Sequence, residues 1–140
     1  MTRLSLFATL LLAACSSAPA GIAAARGDGF QYTARSAAGQ SLLTGRLQLA
    51  FPDDSTVTGT WTIAWVPGAD TTMEVGPQVG AGILTGSRSG DTLRLQLNPN
   101  MADNNVGLRA VRTAEGYAGE WEWVAFTGPR SGGSFVAGRQ

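Results

Sequence analysis

From Phe30 to Arg139 apolar and polar residues alternate with a period of two, interrupted at short intervals by Gly, Pro, Asn and Asp. The alternating runs are Phe30–Ser36, Leu42–Phe51, Thr56–Val66, Ala81–Ser87, Thr92–Asn98, Val106–Thr113, Tyr117–Phe126 and Gly133–Arg139. A period of two sends successive side chains to opposite faces, so each run predicts a strand with one apolar face. Pro52, Pro67, Pro77, Pro99 and Pro129 fall between runs, where a residue that cannot donate to a ladder belongs. No stretch holds a 3.6-residue period long enough to predict a helix.

Turn residues suggest how the strands pair. Glu115-Gly116 as a two-residue turn would set Ala110 opposite Trp121, Leu108 opposite Trp123 and Arg109 opposite Glu122. Ser89-Gly90 would set Leu84 opposite Leu95 and Gly86 opposite Leu93. A five-residue loop over Pro52–Thr56 would set Leu47 opposite Trp61 and Leu43 opposite Trp65. All three hairpins then bury one face, which a slip of one residue would destroy. The chain is therefore expected to be all-β, an eight-stranded antiparallel up-and-down barrel, with a β-sandwich as the alternative. Sequential hairpins without a long crossover favour the barrel, which leaves no exposed edge.

On this pattern the inward face carries Trp61, Trp65, Trp121 and Trp123 among Leu43, Leu47, Leu49, Leu84, Leu93, Leu95 and Leu97. Gly45, Gly59, Gly82, Gly86 and Gly119 lie on the same face. Small residues beside large ones can fill the taper of a packed barrel. They can equally leave room for a pocket lined by indoles. Trp61, Trp65, Trp121, Trp123 and Leu97 are the candidate ligand-binding residues, with Trp65 and Trp123 nearest the mouth.

The N-terminus has a different pattern. Arg3 precedes an apolar run, Leu4–Ala14, that ends in Leu12-Ala13-Ala14-Cys15. Such a run is a secretory segment, too short for a permanent membrane helix. Leu12-Ala13-Ala14-Cys15 resembles the lipobox of bacterial lipoproteins. The resemblance implies removal of residues 1–14 and acylation of Cys15, with the membrane as a partner through that lipid. Ser16 rather than Asp after the Cys implies the outer membrane of a bacterial envelope. Residues 15–29, rich in Gly, Ala and Ser, read as the lipidated Cys and a flexible tether. Residues 30–140 read as a single domain.

A second resemblance lies within the barrel. Gly59-Thr60-Trp61, together with Leu43-Thr44-Gly45-Arg46 and Trp61-Thr62-Ile63-Ala64-Trp65, is similar to the calycin group of small barrels, which includes lipocalins and avidins. In those families the Gly-x-Trp signature marks the first strand; here it falls in the third. The resemblance implies a meander barrel.

Composition narrows the chemistry. The 140 residues hold no His and one Cys, with 10 basic residues (all Arg) balancing 10 acidic ones. This excludes a Ser-His-Asp triad, a lysine Schiff base, a P-loop and a thiolate zinc site, and it leaves no basic footprint for nucleic acid. Glu120 and Glu122 share a strand face, but opposite the Trp face, on a solvated wall. Asn98-Pro99-Asn100 with Asp103, Asn104 and Asn105 offers oxygen ligands without the spacing of a calcium loop. No metal, cofactor or catalytic residue is assigned, and the chain is not read as an enzyme. The expected role is a membrane-anchored envelope lipoprotein whose barrel binds a small apolar or aromatic ligand. The alternative is an envelope protein-interaction module, an inhibitor or assembly factor, with a packed barrel.

Overall fold

The computed structural model describes residues 27–140; Cys15, the signal segment and most of the expected tether lie outside the described residues. The strands are β1 (Asp28–Ser36), β2 (Ser41–Ala50), β3 (Thr56–Trp65), β4 (Gly80–Ser89), β5 (Thr92–Gln96), β6 (Asn104–Arg112), β7 (Gly116–Ala125) and β8 (Gly128–Arg139). Each pairs antiparallel with the next, and β8 pairs with β1 to close the barrel. The order is that of the up-and-down barrel, and the sandwich alternative is set aside. β1 begins at Asp28, so Asp28 and Gly29 pair with Leu49 and Gln48 rather than extending the tether. β8 begins well before Gly133 and contains Pro129. Proline is tolerated there because the ladder with β7 is irregular beside it, and Arg130 has no partner residue.

One of the three expected registers holds, and two are shifted by two residues. β2 and β3 pair Leu47 with Trp61 and Leu43 with Trp65 as expected. Asp53 braces that loop, accepting hydrogen bonds from the Ser55 and Thr56 amides at 2.8 and 2.6 Å. In the β4–β5 hairpin the turn is Gly90-Asp91, which brings Gly86 opposite Leu95 and Arg88 opposite Leu93. Gly90 has φ +55, the positive value that the first turn position of a tight II′ hairpin requires, and Ser89 would adopt it only with strain. In the β6–β7 hairpin Thr113 and Gly116 close a longer loop, the Thr113 amide donating to the Gly116 carbonyl at 2.9 Å. Trp121 therefore faces Leu108, Trp123 faces Val106, and Arg109 faces Glu120 rather than Glu122. A shift of two preserves which face is buried, so the inward set survives both corrections.

The core contains the expected leucines together with Phe30, Tyr32 and Ala34 of β1. An extra residue, Leu42, bulges from β2 between the partners of Ala34 and Arg35. It lets two successive leucines, Leu42 and Leu43, point inward. Two indoles organise the interior in the same way. Trp61 on β3 faces Gly82 on β4, and its Nε1 passes over that glycine to donate to the Leu97 carbonyl at 2.7 Å. Trp121 on β7 faces Gly133 on β8, and its Nε1 donates to the Arg35 carbonyl at 2.8 Å.

Both tryptophans are preceded, two residues earlier, by a glycine pressed against the previous strand. A Cβ at Gly59 would overlap the Gln48 carbonyl oxygen, and one at Gly119 the Arg109 carbonyl oxygen. A Cβ at Gly133 would overlap the Arg35 carbonyl, whereas one at Gly138, on the same strand, would meet nothing within 4 Å. Gly133→Ala should therefore destabilise by more than about 2 kcal/mol and Gly138→Ala by less than about 0.5 kcal/mol. Urea unfolding midpoints of the two variants check this; equal effects would contradict the close approach.

Candidate functional site

The alternation of strand directions gives the barrel two unlike ends. One carries Asp28, the C-terminal Gln140 and the short connections at Phe51–Ser55, Gly90-Asp91 and Thr113–Glu115. The other carries the β1–β2 turn, the long Val66–Val79 loop, the Leu97–Asp103 connection and the Phe126-Thr127 turn. Trp65 and Trp123 lie at this second end, both half-buried and packed on the core. Trp61, Trp121 and Leu97 lie deeper and are buried. The structure thus sets the two expected mouth residues at one end and buries the other three.

The mouth is stoppered. The Val66–Val79 loop folds over it and inserts Val75 and Gln78 into the core. Loops of this length in small domains commonly have a role of their own. Gln78 is fully buried, and its amide is paired inside the barrel. Its Nε2 donates to the Val75 carbonyl at 2.7 Å, and its Oε1 accepts the Tyr32 hydroxyl at 3.0 Å. Burial pushes the Tyr32 hydroxyl well above the ordinary phenol range, so it stays a donor at any working pH. Gly76, at φ +66, lies flat against the Trp123 ring, where a side chain would overlap the indole. The Asn98 amide donates to the Pro77 carbonyl at 2.9 Å, and the Ser131 hydroxyl to the Glu74 carbonyl at 2.6 Å. Arg130 stands 3.8 Å from the Glu74 carboxylate and lies over the Trp123 ring.

Of the asparagines considered as oxygen ligands, Asn104 and Asn105 are committed to the frame, whereas among the described residues the buried Asn98 Oδ1 has no hydrogen-bond partner. Asn104 Oδ1 accepts the Trp123 Nε1 proton at 2.6 Å, and Asn105 Oδ1 accepts the backbone N–H of Asn98 at 3.2 Å, a different donor from the side-chain amide that reaches Pro77. Among the described residues no three His, Cys, Asp or Glu side chains gather as a metal site would need. Around the stopper the same end exposes apolar side chains: Met73, Val79, Met101, Val124 and, at 84% exposure, Phe126. The alternating run extends through Phe126, but β7 ends at Ala125 and Phe126 opens the turn. Tyr32 alternates in phase with Phe30 and Ala34, whereas Gln78 and the stopper contacts carry no signal of periodicity. The Pro67-Gly68 and Pro77 punctuation marked only that a loop was there.

Compared with family models, curated proteins and solved structures, the chain matches none.

Two outcomes follow from this end of the barrel. Trp61→Ala and Trp121→Ala should each cost about 3–5 kcal/mol through cavity creation, and the half-buried pair clearly less. Trp65→Phe and Trp123→Phe should remove most of the acrylamide-quenchable emission. Equal losses at all four, with no quenching anywhere, would contradict the two-depth arrangement. Asp70 supplies the second. Its carboxylate is exposed and accepts from the Thr72 hydroxyl at 2.6 Å and the Thr72 amide at 3.0 Å, which hold its pKa below the usual 3.8. A lowered native pKa contributes stability that is complete above the unfolded value and is lost as pH falls through the native one. Asp70→Ala should lower the thermal midpoint at neutral pH, and its gap to wild type should close as the pH falls through the lowered native pKa. A gap unchanged in acid would show that the charge plays no part.

Proposed function

We propose that this chain is a lipid-anchored module of a bacterial envelope that acts by protein recognition, through the loop-bearing end opposite its tether. The observation that carries the reading is the exposed apolar rim, led by Phe126, around a mouth stoppered by Val75 and Gln78. Scattered exposed apolar residues need no explanation, but several on the loops of one end mark an interaction surface. The resemblance of Leu12-Ala13-Ala14-Cys15 to a lipobox supports the anchor. A lipid on Cys15 would hold the Asp28 end toward the membrane and leave the Phe126 end facing away. The seating of Trp61, Trp121 and Leu97 in the core, with both buried indole N–H groups paired to backbone carbonyls, moves recognition from the interior to the rim. A small apolar ligand would need the Val66–Val79 stopper lifted.

The test uses the full chain in its native host. A photo-crosslinking residue at position 126 should trap one discrete protein, and the same residue at position 60, on the wall, should not. Met101→Ser should abolish the adduct while leaving the thermal midpoint unchanged. Adducts that form equally from both positions would overturn the reading. So would native mass spectrometry showing a small molecule retained by the purified chain and lost on Trp65→Ala. Palmitate labelling that persists in Cys15→Ala would remove the anchor alone.

A further inference from the structure

The outer wall of a small barrel is ordinarily convex, yet here it carries an open trough of about 1350 Å³ across β4 to β8. The trough lies behind one continuous register row, Gly86–Leu95–Leu108–Trp121–Gly133, whose terminal glycines press against neighbouring backbone. Two outward rows line it. Arg94, Arg109 and Glu120 face one another in sequence on β5, β6 and β7. Gln96, Gly107 and Glu122 do the same one step further along those strands.

The charges are ordered. Two arginines stand side by side at the β5–β6 part and two glutamates share the β7 part. Like charges directly opposite each other destabilise a sheet. Nevertheless, among the described residues the ion pairs are Arg112 with Asp91 and Arg130 with Glu74, and neither Arg94 nor Arg109 has a carboxylate within 4.0 Å. The floor is bare at Gly107, where a Cβ would meet nothing within 4 Å. The arginine pair and the carboxylate pair adjoin at Arg109 and Glu120 without a formed ion pair, and the bare position at Gly107 lies beside them; this ordering complements a ligand with opposite charges at its two ends.

We propose that this trough binds a short peptide with both termini free, its carboxylate on Arg94 and Arg109 and its ammonium on Glu120 and Glu122. A carboxylate shared by Arg94 and Arg109 lies between β5 and β6, about one and a half strand spacings or about 7 Å from β7 at the backbone, a reach the long arginine side chains extend. An extended tripeptide spans about 10 Å, so it reaches both pairs at once. Gln96 stands beside the floor to meet the peptide's amide groups. A phospholipid headgroup carries its charges closer together than this and could satisfy one pair only. The trough reaches the loop-bearing end at Val124 and Arg130, but its charged rows lie along the wall, and peptide binding there does not depend on the role proposed for the rim.

The full chain, isotopically labelled, would be titrated with trialanine and its amide shifts followed. Saturable shifts confined to the outer residues of β4–β8 are expected, weakened at least tenfold by acetylating the peptide's amine and likewise by amidating its carboxylate. Arg109→Gln and Glu122→Gln should each weaken binding to a similar extent. Gly107→Leu, which fills the floor without changing charge, should abolish it with the thermal midpoint retained. No shift at about 10 mM peptide would overturn the proposal, as would shifts indifferent to capping. Equal displacement of the peptide by phosphatidylethanolamine vesicles in all variants would overturn it too.

Discussion

Each of the two buried indoles reaches across a glycine on the next strand to a carbonyl two strands away, and the barrel is built around these crossings. An indole N–H left unpaired inside would cost about 1–3 kcal/mol, so each Trp must find an acceptor within the barrel. Trp61 finds it at Leu97 and Trp121 at Arg35. Neither path exists unless the strand between contributes a glycine, because a Cβ at Gly82 would come within 2.9 Å of the Trp61 ring. The crossings bind strands that the hydrogen-bond ladder leaves unconnected, and they bring the glycine-bearing strands tightly against their neighbours. The concavity on the outer wall lies behind one of these rows, so inner packing and outer shape have a common origin.

The fold was largely legible in the sequence because its main signal, alternation, has the period of the structure that forms. Strand order and the inward face follow from it with little else. Register was less legible. At β2–β3 Asp53 fastens the loop, and the expected pairing is the one formed. At Ser89–Asp91 the positive φ of Gly90, and at Thr113–Gly116 the Thr113 hydroxyl that accepts the Gly116 amide at 3.1 Å, decide where the turn begins, and a shift of two leaves the burial pattern intact. The pattern therefore cannot detect it. The stopper was illegible for a further reason. Gln78 is a polar residue in a loop, and only tertiary structure supplies the Tyr32 hydroxyl that satisfies it inside the barrel. The four tryptophans were recognisable as interior, but not the fact that two of them use their N–H groups to hold the frame.

The inserted loop and the buried indoles bear on where function can lie. In a barrel with a cavity, loops at the mouth regulate access. Here the Val66–Val79 loop contributes Val75 and Gln78 to the core, so it is part of the structure it covers. What remains free is outside: the apolar rim at one end and the polar trough on the wall. They offer different chemistry, burial of Phe126 and Met101 against ordered charge at Arg94, Arg109, Glu120 and Glu122.

The two halves of the barrel show where it departs from its own rule. Gly59-Thr60-Trp61 on β3 and Gly119-Glu120-Trp121 on β7 are the same device used twice: glycine against the preceding strand, indole over a glycine on the following one. Everything needed to hold the barrel is common to both copies. After the device the halves diverge, on the same end of the molecule. β3 leads into the long loop that stoppers the mouth, whereas β7 turns at once through Phe126-Thr127 into β8. Outward residues diverge as well, Thr60 in the first copy and Glu120 in the second. Closing the barrel accounts for neither difference, since both copies close it equally well. The exposed Phe126 and the charge at Glu120 are thus features that closing the barrel leaves unexplained, and it is on these that the proposed rim and trough are built.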